Sequence, residues 1–297
     1  MNNINILSHA KINLTLEVLF RRDDGFHQIE SVMQEIMLAD SLWLEELPGG
    51  KIELSCDDPS LPVDERNLAY RAASGFIAKF TPGKGVKIDL HKRIPLAAGL
   101  GGGSSNAAAV LKGLRRMWGI PGRMEDLNDL AASLGSDVTF FLRGGTALAK
   151  GRGELVTAVA PFPQVKVLLA SPKDMMLSAA EVYSALVADE LSPQGKARDL
   201  IRILEHERLW EREEVSLPSL QELFALLTND LEKAAFSLKK EIALLKDRLQ
   251  GMGLVALLSG SGPTVFALSK DEGPLERAYH ELKTEGYRVC LTETKRN

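Results

Sequence analysis

The stretch "PLAAGLGGGSSNAAA", Pro95 to Ala109, sets four glycines and two serines within seven residues, directly ahead of an alanine-rich segment. From Ser105 to Trp118 the apolar residues Val110, Leu111, Leu114, Met117 and Trp118 recur at helical spacing, and Gly119 with Pro121 closes the segment. Upstream lies the period-two run "GVKIDLHKRIP". The loop therefore joins a strand to a helix N-terminus. Backbone N–H groups at such a terminus are unpaired and carry the positive end of the helix dipole, so a glycine loop that lets them converge makes an anion site. Phosphate is the obvious anion. Gly101, Gly102 and Gly103 admit close backbone approach, while Ser104 and Ser105 add hydroxyls for phosphate oxygen or a Mg²⁺ ion. The same residues also suit a flexible helix-entry turn that holds nothing. Two familiar nucleotide motifs fail: counted from Gly99, both the P-loop and the dinucleotide fingerprint need a glycine where Ser104 stands. The esterase elbow fails as well, because Gly102-Gly103-Ser104 is followed by Ser105-Asn106.

The chain as a whole, 297 residues with 45% hydrophobic and 26% charged, is long enough for two domains with real cores. A net charge of -4 and no Lys/Arg run argue against nucleic acid as a partner, so an anionic ligand has to be met locally. Cys56 and Cys290 lie too far apart in sequence for a CxxC pair or a thiolate metal cluster, and a reducing cytoplasm is the expected setting. The opening "MNNINILSHAKINL" lacks a basic region followed by an apolar stretch, and no run of about 18 apolar residues follows, so neither export signal nor membrane span is expected.

Residues 10 to 18 alternate, with Ile12, Leu14, Leu16 and Val18 on one side and Lys11, Asn13, Thr15 and Glu17 on the other, which predicts a half-buried strand. Strands are also expected at "SLWLEEL" and "KIELSC", with a helix at "NLAYRAASGFIAKF". After the glycine loop come a helix at "LNDLAASL", a turn at Gly135-Ser136-Asp137 and a glycine-rich hairpin near residue 150. Prolines thicken around "VAPFPQV", which puts a domain boundary near residue 160, giving domains 1–160 and 161–297. Beyond it are predicted a strand "VKVLLA", helices through the 190s to 220s, and one long helix "LTNDLEKAAFSLKKEIALLKDRLQ". Strands "LVALLS" and "PTVFALS" flank Gly260-Ser261-Gly262, and a helix near 274–285 and a strand "YRVCLTE" follow. That order matches a split βαβ, ferredoxin-like arrangement.

Three segments in order resemble the signatures of the GHMP kinases, small-molecule ATP-dependent kinases: "HAKINLTLEVLFRRDDGFHQIESVMQ", "IPLAAGLGGGSSNAAAVL" and "LLSGSGPTVFAL". The resemblance implies an α+β, two-domain fold with a ribosomal-S5-like N-terminal domain and a ferredoxin-like C-terminal one. Within the family, "KINLTLEV", "DGFHQIESV", "GLGGGSSNAAA" and "GSDVTFFLRGGTALAKGRGE" resemble the branch that phosphorylates the 2-hydroxyl of a cytidine diphosphate-linked methylerythritol in non-mevalonate isoprenoid synthesis. A GHMP kinase acting on mevalonate, homoserine or a sugar is the alternative enzyme, and a nucleotide-binding homologue that has lost the chemistry is the alternative from another class.

By that resemblance Lys11 sits beside the reacting hydroxyl and the γ-phosphate, and Asp137 takes the hydroxyl proton. On residue type alone Asp137 could be a helix cap and Lys11 a solvated strand residue. Asn13 shares the face of Lys11 and is expected at the substrate. The resemblance assigns His27 to an edge hydrogen bond with cytosine and Phe26 and Tyr183 to stacking on it, a sensible way to read one base. ATP is expected along Pro95, Gly99, Leu100, Gly101, Gly102, Gly103, Ser104, Ser105 and Asn106, with Asn67 and Lys92 near the adenine. The resemblance places Gly260 and Ser261, otherwise simply a tight turn, at the border of the active site, and Mg²⁺ is expected with the phosphates, at Ser104 or Ser105. Departures from the family's wording are Phe26 for a common tyrosine, His9 for proline, Ser136 for alanine and Thr139 for proline.

Overall fold

In the computed structural model, which describes residues 2–122, 124–187, 191, 194–206 and 217–296, the alternation at residues 10 to 18 becomes two strands broken at Leu14. They are β1 (Asn3–Asn13) and β2 (Thr15–Arg21). The expected half-burial is corrected: Lys11, Asn13, Thr15 and Glu17 are all at most 4% exposed. Buried polar groups persist only when paired. Here Asn13 donates to Ser31 at 2.8 Å, Thr15 accepts from the Val32 amide at 2.9 Å, and Glu17 accepts from the amides of Gly195, Lys196 and Ala197. A single strand, β3 (His27–Leu47), absorbs both "QIESVMQ" and "SLWLEEL".

Then come β4 (Ile52–Cys56), α1 (Leu68–Phe80), β5 (Gly85–His91), α2 (Gly102–Met117), α3 (Asn128–Leu134) and α4 (Ser136–Arg143). The last is a correction, since Ser136 and Asp137 open a helix rather than complete a turn. Downstream lie β6 (Thr146–Gly151), β7 (Leu155–Ala158), β8 (Lys166–Ser171), α5 (Ala179–Ser184), α6 (Lys196–His206), α7 (Leu217–Ala225) and β9 (Thr228–Asn229). The helices predicted through the 190s to 220s fall in part outside the described residues; α6 and α7 are the helices described there. The chain ends with α8 (Glu232–Leu238), α9 (Lys240–Gly251), β10 (Val255–Leu258), β11 (Val265–Leu268), α10 (Glu272–Thr284) and β12 (Arg288–Glu293).

The long helix expected from residue 227 onward is thus a short strand and two helices. Asn229 causes the first break: its side chain accepts from the Leu231 amide and donates to the carbonyls of Leu258 and Gly260, a local alternative to helical pairing. Lys239, in extended conformation, makes the second.

Two compact units emerge, and neither is one stretch of chain: residues 1–10, 38–96 and 101–144 form the first, and 11–37, 97–100 and 145–297 the second. In the first unit the later half of β3 pairs antiparallel with β5, from Ser41 opposite His91 to Leu47 opposite Gly85, and β5 runs parallel to β4. Helix α2 crosses this sheet at Gly113, where a β-carbon would collide with Leu44. In the second unit β3 pairs with β2 and β6, and a separate antiparallel sheet has the order β10-β11-β8-β12. That order, with α9 and α10 as the two crossing helices, is the ferredoxin-like arrangement expected from sequence. Ile242, Leu245, Leu249, Leu275, Ala278 and Leu282 of these helices are buried with Leu168, Ala170, Val265 and Ala267 of the sheet. Each large side chain so buried contributes about 1.5–3 kcal/mol.

Candidate active site

The first unit holds the helix start that follows the glycine loop. Gly101, at φ 71°, precedes α2 in a left-handed conformation that only glycine adopts without strain, and its carbonyl accepts from the Ser105 amide. The first turn of α2 is then anchored from behind. Ser105 donates to the His9 carbonyl at 2.6 Å and accepts from Ser8 at 2.7 Å. Asn106 donates to Ser8 and to the Asp40 carboxylate, at 2.9 and 2.8 Å, and accepts from Lys92 at 3.1 Å. Asp40, fully buried, also pairs with the Lys92 ammonium and accepts from the amides of Arg93 and Ile94 at 2.7 and 2.8 Å. Five side chains thus fix where the helix N-terminus points. The Ser105 hydroxyl is thus committed on both sides, and Ser104 beside it is half-buried. Its oxygen lies 3.9 Å from where a β-carbon of Gly135 would stand, which brings the start of α4, with Asp137 in its first turn, beside the start of α2. The N-terminus of α4 favours a carboxylate there. Thr139, in place of the common proline, ties its hydroxyl to the Ser136 carbonyl at 2.9 Å.

Two residues expected near adenine have structural partners. Asn67 caps α1, accepting from the Ala69 amide at 2.9 Å and donating to the Pro62 carbonyl at 2.8 Å. The Lys92 ammonium is held by Asp40 and Asn106, so a nucleotide contact from it requires giving up that pair. Pro95 is half-buried at the approach to the loop.

The second unit builds the other group. The Lys11 ammonium, 4% exposed, donates to Asn13 at 2.6 Å, and the Lys11 amide donates to the Leu100 carbonyl at 3.0 Å. A β-carbon on Gly260 would stand 3.0 Å from the Lys11 amine, 3.3 Å from the Gly99 carbonyl and 3.4 Å from Asn13. The Gly260-Ser261-Gly262 turn therefore closes on Lys11, Asn13 and the entry of the glycine loop. Asn229 holds that turn through its bonds to Leu258 and Gly260. Gly99, at φ 74°, has no room for a side chain, since a β-carbon would run into the Ser259 carbonyl. Gly99→Ala is expected to cost about 2 kcal/mol of stability and to raise the KM for ATP, measured by urea unfolding and steady-state kinetics.

On the same unit His27 stacks on Tyr183, with ring centroids 5.2 Å apart and planes 24° from parallel. The Phe26 ring, 53% exposed, carries the Arg152 guanidinium 4.8 Å from its centroid. Burial, helped by the charge of Arg21, lowers the His27 pKa, so its ring is neutral at neutral pH and offers one nitrogen donor and one acceptor. Aromatic faces and an edge donor-acceptor pair thus occur together.

Sequence reading missed Asp40, Ser8, Ser31, Asn229 and Arg152. Asp40 carried a signal: it falls in phase with Leu42 and Leu44, which face the core, so a charge there needs buried partners. The others carried none.

The GHMP kinases N terminal domain model matches residues 67–145, and the GHMP kinases C terminal model matches residues 212–288. A 4-diphosphocytidyl-2-C-methyl-D-erythritol kinase of Shouchella clausii is 40% identical over 293 residues, 97% of this chain and 94% of that one. The enzyme of the same name from Bacillus velezensis is 42% identical over 276 residues, 92% of this chain and 91% of its own length. A crystal structure of 4-(cytidine 5'-diphospho)-2C-methyl-D-erythritol kinase superposes with a TM-score of 0.79 at 34% identity, covering 99% of this chain and all of the other. The family models, the relatives that span almost the whole chain and the glycine-loop helix start agree, and the chain belongs to the 4-diphosphocytidyl-2-C-methyl-D-erythritol kinases among the GHMP kinases.

Proposed function

We propose that the protein transfers the γ-phosphoryl group of ATP to the 2-hydroxyl of 4-diphosphocytidyl-2-C-methyl-D-erythritol, a step of non-mevalonate isoprenoid precursor synthesis. Identity of 40% to the Shouchella enzyme over nearly the full length supports the reaction. The observation that carries the substrate is the neutral His27 stacked on Tyr183 beside Phe26. A neutral imidazole presents a donor and an acceptor, as does the cytosine edge, and stacking supplies the rest of the base affinity.

In this reading the ATP phosphates lie on the amides at the start of α2, over Gly101, Gly102 and Gly103. Asp137 accepts the proton of the attacking hydroxyl as the new oxygen–phosphorus bond forms and the bond to the β-phosphate oxygen breaks, releasing ADP. Lys11, oriented by Asn13, offsets the negative charge of the transferring group. Mg²⁺ bound with the nucleotide would supply further charge neutralisation, and Ser104 is the serine that would hold it, since the Ser105 hydroxyl is taken. As a division along the sequence the boundary near residue 160 stays a proposal: it falls between the two matched family models, while the compact units interleave the chain. No helix among the described residues is long and apolar enough to cross a membrane. We place the protein in the cytoplasm, a setting that suits the free thiols of Cys56 and Cys290.

ADP release by the purified protein tests this, with the cytidyl substrate run beside mevalonate, homoserine and galactose. Turnover confined to the cytidyl alcohol is expected. Turnover with another alcohol overturns the base-reading assignment, and none with any overturns the kinase reading in favour of a non-catalytic homologue.

A further inference from the structure

The hairpin between β6 and β7 presents one cation to the aromatic group. Its turn, Gly151-Arg152-Gly153, has φ 75° and 112° at the two glycines, and the Glu154 carboxylate accepts from the Arg152 amide at 2.6 Å. The same carboxylate lies 2.8 Å from where a β-carbon of Gly151 would stand, so it occupies the inside of the turn and fixes the backbone of Arg152. Gly151 pairs with Ile29, two residues beyond His27 on β3. Arg152 is thereby set beside the start of that strand, and its guanidinium lies over Phe26.

A guanidinium stacked on a ring uses its face and leaves its in-plane N–H groups for other acceptors. Asp24, two residues before Phe26, pairs with Arg22, and Glu30, one residue beyond Ile29 on β3, pairs with Lys150. Glu154 reaches Arg152 Nε only at 4.0 Å, too far for a hydrogen bond. The Arg152 side chain is about one-third exposed, so its N–H groups are open to an acceptor arriving from solvent. Planar pairs of N–H donors match phosphate oxygens two at a time.

We propose that Arg152 binds the diphosphate of the substrate, its guanidinium steadied on Phe26 while its free N–H edge grips the phosphate oxygens next to the base. This rests on the cytidine reading of His27, Phe26 and Tyr183. It assigns the hairpin a part in telling a nucleoside diphosphate-linked alcohol from a bare one, which the aromatic rings alone cannot do.

Calorimetric titration of the protein and of Arg152→Gln with cytidine and with CDP separates the possibilities. Arg152→Gln is expected to weaken CDP binding about tenfold, the worth of a charge-assisted pair, and to leave cytidine binding within about twofold. Arg152→Lys is expected to recover only part of the CDP affinity, because an ammonium neither stacks as a plane nor donates in parallel. Equal losses for cytidine and CDP would show that Arg152 only props Phe26 and overturn the proposal, and so would unchanged binding of both. Failure of the unmutated protein to bind cytidine at all would instead remove the base-reading assignment on which the proposal stands.

Discussion

Asp137→Asn is expected to lower kcat about a thousandfold while leaving the affinity for ATP within about twofold. A positioned general base contributes about 10²–10⁴ to the rate, and an amide cannot take the hydroxyl proton. The substitution is isosteric and sits in the first turn of α4, where the helix terminus favours a negative side chain by about 0.3–1 kcal/mol, so the folded protein loses little. The amides at the start of α2 that would cradle the phosphates are anchored by Ser8, Asp40, Lys92, Ser105 and Asn106, and Asp137 sits on a different helix, α4. Nucleotide binding and turnover should therefore separate. Steady-state kinetics with the cytidyl alcohol and titration with a non-hydrolysable ATP analogue measure the two. A kcat loss under tenfold would remove Asp137 as the base, and a parallel loss of nucleotide affinity would make it a phosphate or metal residue instead.

What sequence reading captured and what it missed divide along the range of the interactions. The helix after the glycine loop was legible because Val110, Leu111 and Leu114 repeat at helical spacing, and the order of strands and helices after residue 166 was enough to give the ferredoxin-like sheet. Local alternation could not show that Lys11, Asn13, Thr15 and Glu17 are buried as deeply as the apolar residues between them. Their partners lie far along the chain: Ser31 for Asn13, and residues 195–197 for Glu17. Periodicity likewise carried one helix through Asn229, whose bonds to Leu258 and Gly260 come from a hairpin some thirty residues on. Signature wording made candidates of Lys11, Asp137 and Gly101 to Asn106. It did not do so for Arg152, whose meaning depends on a hairpin that folds back beside Phe26. Nor did sequence separate Ser104 from Ser105, adjacent and chemically alike. Only the bonds of Ser105 to Ser8 and His9 do that.

Asp40→Ala is expected to destabilise the protein by about 3–5 kcal/mol in urea unfolding, the usual cost of removing one partner of a buried ion pair. The carboxylate has no exposed surface, and the Lys92 side chain that pairs with it is 6% exposed. Truncation leaves a buried ammonium with only the Asn106 carbonyl, and it strands the amides of Arg93 and Ile94, of which the buried Ile94 amide costs about 1–3 kcal/mol without an acceptor. Asp40→Asn keeps an acceptor for the amides but not the charge, so its loss should be smaller. Replacing both partners, Asp40→Leu with Lys92→Leu, should recover most of the stability, since an apolar pair strands neither charge. It should not recover function. In that double variant Asn106 loses the Asp40 acceptor and the Lys92 donor and keeps only Ser8 to tie down the first turn of α2, and a looser helix start holds phosphate less well. The KM for ATP is therefore expected to stay several-fold high in the restabilised double variant. A single-variant loss below about 1 kcal/mol would mean that water or a shifted backbone replaces Asp40 at little cost, and a double variant with normal KM would mean that the glycine loop holds its shape without the buried network.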